Sequence, residues 1–295
     1  MTSPRQDLLR ALPSVECVLQ QTETEKGAAE IPRRILVECV RAAVEEARKR
    51  VLAEETDGLT GESLRQAIAA DVRQRLDAAS GPHYRKVVNA TGIVLHTALG
   101  RAVLPARAVR QIQDELSGYS LVQVDLQSGT RSKRDERIEW LLRRLTGAEA
   151  ATVVNNNAAA TAIVPNTVPK GKEVVVSRGQ RVGIGGSFRL PEVMAAAGAK
   201  LVEVGSTNKT HLRDYERAIT ENTAAILRVH PSNYKIVGFT AEAPLEDLVQ
   251  LARAKGLTMI DDVGAGPLVD FSRFGFDKEP TLPESVATGA DLITS

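Results

Sequence analysis

Cysteine is nearly missing from this chain. Cys17 and Cys39 are the only two among 295 residues, and they form no C-x-x-C pair. A disulfide framework is excluded, which fits a reducing cytosol. Histidine is scarce as well: His83, His96, His211 and His230 show no H-E-x-x-H or comparable ligand spacing, so no metal site is expected. Neither sign of charge dominates. With 38 Lys and Arg against 37 Asp and Glu, the net charge of +1 gives no global pull toward nucleic acid, membranes or acidic partners. No run of 18 apolar residues exists, and Met1–Asp7 has no apolar h-region, so no membrane span is expected and the cytoplasm is the default compartment. Aromatic residues make up 3% of the chain, and no internal repeat or low-complexity tract stands out. Glycine-rich fingerprints of the dinucleotide or P-loop type are also lacking.

What is there is alanine-rich, 43% hydrophobic and long enough for roughly two domains. Residues up to about Ala79 read as helical. After Pro32, Ile35/Leu36, Val40, Ala43/Val44, Ala47 and Val51 recur at helical spacing, with Arg34, Arg41 and Arg48 opposite. Glu38 and Glu45 interleave with those arginines, so a solvated helix face is expected. Met1–Lys86 holds 14 basic and 14 acidic residues, and no RNA-binding role shows in that composition. Ser80-Gly81-Pro82 marks the expected boundary between a helical domain, 1–80, and an α/β domain, 81–295.

From Thr146 apolar strand candidates alternate with helices. The strands are Ala151–Val154, Glu173–Val176, Lys200–Val204, Ala224–Val229, Leu257–Ile260 and Asp291–Ile293. The clearest helix is Pro244–Lys255, with proline in its first turn and Gly256 at its end. Such alternation implies βαβ units and a mostly parallel sheet, whose ligands sit beyond the carboxyl ends of the strands.

The residues following each strand are therefore the candidates. Asn155, Asn156 and Asn157 lead into an alanine-rich helix start at Ala158. This is either a plain capped helix or an anion site made of unpaired N–H groups. Asp261 and Asp262 follow Ile260; they form either an Asp-capped turn or a carboxylate pair that faces a cation, such as a protonated pyridine nitrogen or a metal. His230-Pro231-Ser232-Asn233-Tyr234 is a proline turn or a set of donors for a phenolic oxygen. The glycines of Gly183-Ile184-Gly185-Gly186-Ser187 suit a tight backbone path. Arg131-Ser132-Lys133-Arg134 is a cationic cluster that could fork onto an oxyanion. Arg137, Arg143 and Arg144 read as a solvated helix face, and Trp140 as core. A phosphate cradle, an aspartate and an amide-bearing turn on strand ends together suggest pyridoxal 5'-phosphate: phosphate at Asn155–Ala158, ring nitrogen at Asp261 or Asp262, ring oxygen near Asn233.

Longer motifs carry a resemblance. Val88-Asn89-Ala90-Thr91-Gly92, His96-Thr97-x-Leu99-Gly100-Arg101, Leu145–Ala150, Val154–Ala160, Gly185-Gly186-Ser187-Phe188-Arg189, Thr207–Tyr215 and Ser232–Phe239 resemble bacterial selenocysteine synthase, the L-seryl-tRNA(Sec) selenium transferases. The similarity runs through essentially the whole chain. It implies a fold type I enzyme that uses pyridoxal phosphate to convert seryl-tRNA(Sec) to selenocysteinyl-tRNA(Sec) with selenophosphate, and that assembles as dimers within a decameric ring. By resemblance, residues 1–80 recognise tRNA, Arg101 holds the selenophosphate anion, and Asp261 takes the ring contact, with Asp262 as second choice; Arg131 and Arg134 are further candidates for the substrate anion from their donor forks. The lysine that carries the cofactor as a Schiff base would follow the strand at Asp291–Ser295, and it is absent from this chain. Lys278, which precedes that strand, is a poor substitute. The resemblance therefore implies a C-terminally truncated enzyme, inactive by itself. Ala98 replaces a usual asparagine, Gln180 and Gly183 stand where acidic residues are usual, and Pro231 replaces a threonine. Two other readings compete: a related lyase acting on a small amino acid or an amino-sugar phosphate, and a non-catalytic module for tRNA binding or assembly.

Overall fold

A computed structural model describes residues 4–23, 30–53, 59–167, 171–184 and 188–295. The chain divides into two compact units, Met1–Asp114 and Glu115–Ser295.

The first unit is built on four helices: α1 (Pro4–Ala11), α2 (Val15–Glu23), α3 (Arg33–Leu52) and α4 (Gly61–Ser80). Apolar residues at three- and four-residue spacing give α3 and α4 one buried stripe each. Leu36, Val40, Ala43, Val44, Ala47 and Val51 of α3 pack with Leu64, Ile68, Val72 and Leu76 of α4 and with Val18 and Leu19 of α2. Thr60 starts α4 through a reciprocal cap: its hydroxyl accepts from the Ser63 N–H at 3.1 Å, while Ser63 Oγ accepts from the Thr60 N–H at 2.9 Å. The opposite side of α3 is solvated, with Arg34 on Glu38 at 3.0 Å and Arg48 on Glu45 at 3.4 Å. After Ser80 the chain is irregular, apart from a short turn at Thr97–Leu99, until α5 (Ala106–Glu115).

The second unit contains α6 (Glu136–Thr146), α7 (Asn157–Thr167), β1 (Glu173–Ser177), β2 (Gly183–Ile184), β3 (Phe188–Arg189), α8 (Leu190–Ala196), β4 (Lys200–Val204), α9 (Leu212–Ala218), β5 (Thr223–Val229), α10 (Leu245–Lys255), β6 (Thr258–Asp262), α11 (Leu282–Thr288) and β7 (Leu292–Thr294). Five strands form a parallel sheet in the order β4-β1-β5-β6-β7, and β2 and β3 make a small antiparallel pair. Side chains alternate across the strands and so feed two cores. On one face Val174, Val176, Leu227, Val229 and Ile260 pack on Leu190 and Met194 of α8. On the other Val175, Ile226 and Met259 pack on Tyr215 of α9 and on Leu248, Val249, Leu251 and Ala252 of α10.

Three expectations change. Ala151–Val154 is not a strand: none of its residues joins a ladder among the described residues, and Val153 is half exposed. An apolar run needs a hydrogen-bonding neighbour to become a strand, which composition does not reveal. The strand before the acidic pair does not stop at Ile260; β6 continues through Asp261 and Asp262. Trp140 is 44% exposed rather than core. It lies between Arg137 and Arg144 on α6, whose guanidinium carbons sit 4.3 and 5.3 Å from the ring centre.

Candidate functional site

Because β6 runs through both aspartates, Asp261 and Asp262 project to opposite faces of the sheet. Asp262 faces α7. Its Oδ1 accepts from Asn157 Nδ2 at 2.9 Å and from the Gly264 N–H at 3.0 Å, and its Oδ2 accepts from Thr161 Oγ1 at 3.3 Å. The side chain is buried, and among the described residues no cationic side chain contacts it. Burial pushes its carboxyl above the ordinary aspartate range, against the pull of the Asn157, Gly264 and Thr161 donors; the charge on Asp261 adds to the upward shift.

Asp261, the first choice for the ring contact, is placed elsewhere. It is fully buried on the α10 side, with Oδ1 receiving Arg228 Nη1 at 2.8 Å and Oδ2 receiving Ser285 Oγ at 2.6 Å. The structure thus joins Asn157, the last of the three asparagines, to Asp262, while Asp261 is committed to an ion pair behind the sheet.

The start of α7 has the features of an anion cradle. Asn156 caps it, its Oδ1 accepting from the Ala159 N–H at 2.9 Å. The preceding N–H groups, of Asn157 and Ala158, point out along the helix axis. Asn155 and Asn156 are exposed, and Asn157 and Ala158 are partly buried. Thr161, one turn beyond Asn157, is a contact that sequence reading missed. The spacing of four residues on a helix was the available signal.

Asn233 lies on the exposed turn after β5, and that turn is tethered at several points. Tyr234 Oη donates to the Gly179 carbonyl at 2.6 Å, the His230 N–H donates to the Asp262 carbonyl at 2.8 Å, and the Val229 N–H donates to Gln180 Oε1 at 3.1 Å. Gly264, at φ +68°, closes the approach: a Cβ there would lie 3.0 Å from the Ser232 side chain. Burial lowers the His230 imidazole below its ordinary value, with nearby Glu279 opposing. Gly185, Gly186 and Ser187 lie outside the described residues.

The cationic candidates fall into two groups. Arg131 and Arg134 converge, each placing Nη2 3.3 Å from Gln123 Oε1, and both stay exposed. Beside them Asp125 folds a tight turn by accepting from Ser128 and Gln127, bonds that hold its carboxyl below the usual range. Arg101 belongs to the first unit. It is exposed, takes a left-handed φ of +60°, and its N–H, like that of Leu99, donates to the His96 carbonyl. The ring atom His96 Nδ1 is buried there without a partner. Lys278 is engaged by Glu284 at 2.8 Å, at the start of α11.

Residues 87–295 match the family model for L-seryl-tRNA selenium transferase, and residues 9–48 match the selenocysteine synthase N-terminal model. The chain belongs to the L-seryl-tRNA selenium transferase family. The transferase of Desulfomicrobium baculatum is 48% identical over 291 residues, covering 97% of this chain and 62% of that protein. That of Solidesulfovibrio magneticus is 48% identical over 292 residues, covering 98% and 61%. The chain therefore spans about 62% of the length of these selenium transferases. Among solved structures it is similar to D-glucosaminate-6-phosphate ammonia-lyase, with a TM-score of 0.52 and 26% identity over 67% of this chain and 50% of that one. The selenium transferase family is pyridoxal phosphate-dependent and of fold type I, in keeping with the parallel sheet of the second unit.

Proposed function

We propose that the second unit is the cofactor-binding part of a selenium transferase that converts L-seryl-tRNA(Sec) to L-selenocysteinyl-tRNA(Sec) with selenophosphate. One observation carries the assignment of the cradle: a buried carboxylate, Asp262, is held by three uncharged donors at a helix N-terminus, with no cationic partner among the described residues. A protonated ring nitrogen is the cation that such an acid fits, and the outward N–H groups of Asn157 and Ala158 fit the phosphate. The residues present therefore suit pyridoxal phosphate.

When bound, that cofactor supplies an electron sink for negative charge developing at the α-carbon of the seryl group. The chain's own residues do the positioning. Asp262 would keep the proton on the ring nitrogen, Asn157 and Thr161 would fix the rotamer of Asp262, and Asn155–Ala158 would receive the phosphate. Asn233 would approach the ring oxygen from its tethered turn. Arg101 on the first unit and, separately, Arg131 and Arg134 on the second are exposed, and the donor forks of each suit the selenophosphate oxyanion. The helices before Ser80 would recognise the tRNA, and copies of the chain would associate, as the resemblance implies. The cytoplasm is the compartment of this reading; among the described residues no helix is long and apolar enough to cross a membrane. Identity of 48% to curated transferases supports this reaction over the lyase and binding-module alternatives.

The test is equilibrium dialysis of the 295-residue chain against pyridoxal phosphate. Asp262→Asn is expected to loosen binding about tenfold or more, the order of one charge-assisted hydrogen bond. Unchanged affinity in Asp262→Asn would overturn the assignment.

A further inference from the structure

The cluster behind the sheet has no part in the cradle, yet it touches the neighbouring residue of the same strand. β5 and β6 pair in register, Arg228 with Asp261 and Val229 with Asp262. Both oxygens of Asp261 are occupied, by Arg228 at 2.8 Å and by Ser285 at 2.6 Å, and none of its surface is exposed. An ionised carboxylate so placed needs a cation. Among the described residues Arg228, whose side chain is 16% exposed, is the cation that reaches it; Lys278, on the same side, is engaged by Glu284. Consecutive Cα atoms are about 3.8 Å apart, so a net charge at Asp261 acts on Asp262 whichever face each occupies.

We propose that Arg228, acting through Asp261, is a positioning residue for the cofactor acid. From behind the sheet it cancels the charge of Asp261, leaving Asp262 as the single net negative charge that the strand end offers to a ring nitrogen. The proposal rests on Asp262 being the ring-nitrogen partner.

The groups that face Asp262 leave this role open to Arg228. From α7 come Asn157 and Thr161, from the following turn the Gly264 N–H, and from β7 its register partner Thr294, all uncharged. At the end of β5 the His230 N–H donates to the Asp262 carbonyl, while its imidazole, held toward its neutral form by burial, is coupled to Arg228, Asp261, Glu242 and Glu279. Asp261 is the charged neighbour on β6; its own charge acts to raise the Asp262 carboxyl, and in the proposal the Arg228 guanidinium paired with it opposes that effect.

The experiment follows the Asp262 side-chain carboxyl carbon by NMR during a pH titration of the cofactor-free 295-residue chain. It compares wild type, Asp261→Asn and the double variant Arg228→Met/Asp261→Asn, with amide spectra confirming the fold of each. Asp261→Asn leaves the Arg228 charge unbalanced and is expected to lower the Asp262 midpoint by about one pH unit. The double variant removes both charges and is expected to return it to the wild-type value. If Arg228 acts only structurally, loss of the Asp261 charge lowers both midpoints equally. An unmoved midpoint in Asp261→Asn, or equal midpoints in both variants, overturns the role of Arg228.

A second arm measures binding of pyridoxal phosphate and of its analogue with carbon in place of the ring nitrogen. Asp261→Asn is expected to weaken pyridoxal phosphate roughly three- to tenfold, the double variant to restore it, and the analogue to respond to neither. If the midpoints move as expected while both ligands respond alike, the ring-nitrogen assignment itself fails. If the ligands are still discriminated in the wild type but the midpoints stay fixed, only the role of Arg228 is overturned.

Discussion

Asp262, the proposed partner of the ring nitrogen, carries a cost in stability that is separable from its proposed role in binding. Burial raises its carboxyl above the ordinary value, so folding favours the protonated form more than the unfolded chain does. The associated stability is fully present below the unfolded value of about 3.9 and is lost as pH rises through the folded value. Asp262→Asn is therefore expected to be at least as stable as wild type at pH 7, with the gap closing toward pH 4, while binding pyridoxal phosphate more weakly. Urea midpoints at several pH values check this, and a variant that is weaker only at neutral pH would refute it. His230 acts in the opposite sense. Its lowered value means stability is present above about pH 6.5 and lost as pH falls through the folded value. Gly264 is the backbone counterpart. At φ +68°, with a Cβ position 3.0 Å from Ser232, Gly264→Ala is expected to cost about 1–3 kcal/mol and to loosen the turn that bears Asn233, read by denaturation and by cofactor dialysis.

At the scale of elements, stripes and caps make the helices, and register makes the site. In the bundle of the first unit, Ile68 is buried in the contact between α4 and α3. Ile68→Ala is expected to cost about 2–5 kcal/mol, against about 1 kcal/mol for Thr60→Ala at the cap of the same helix. Chemical denaturation followed by circular dichroism ranks the two, and equal costs would mean that the stripe does not close a tight core. Most of this level was legible beforehand. The stripes of α3, the strands β1, β4, β5 and β7 to within about a residue, and the start and stop of α10 at Pro244 and Gly256 all follow from local patterns. Ala151–Val154 shows the limit. It has the composition of a strand, but pairing depends on a neighbour that comes from elsewhere in the chain. Asp261 shows it more sharply. A two-residue difference in where β6 ends turns a pair of adjacent acids into one front and one back residue.

For the whole molecule the telling quantity is apolar surface. Tyr84, Val88, Val103, Tyr119, Val237 and Phe239 are each more than 80% exposed, far beyond what scattered surface residues require. With a net charge of +1, little electrostatic repulsion opposes association. Sedimentation is expected to show self-association that grows with concentration, reduced in Val88→Ser/Val103→Ser; a monomer at all concentrations would contradict this. The proposed tRNA contact has its own signature. In gel shifts, generic phosphate binding weakens steeply with salt, whereas preference for tRNA(Sec) over bulk tRNA is expected to persist.

The sequence alone determined the βαβ alternation, the apolar stripes of α3 and the family resemblance, because each is written in local periodicity or contiguous motif. Only the tertiary structure decided which of two adjacent aspartates meets Asn157, that Arg228 and Ser285 engage the other, and that Trp140 lies outside the core. Those outcomes depend on strand register and on which face a pleated residue takes, and register is set by contacts between segments 30 or more positions apart.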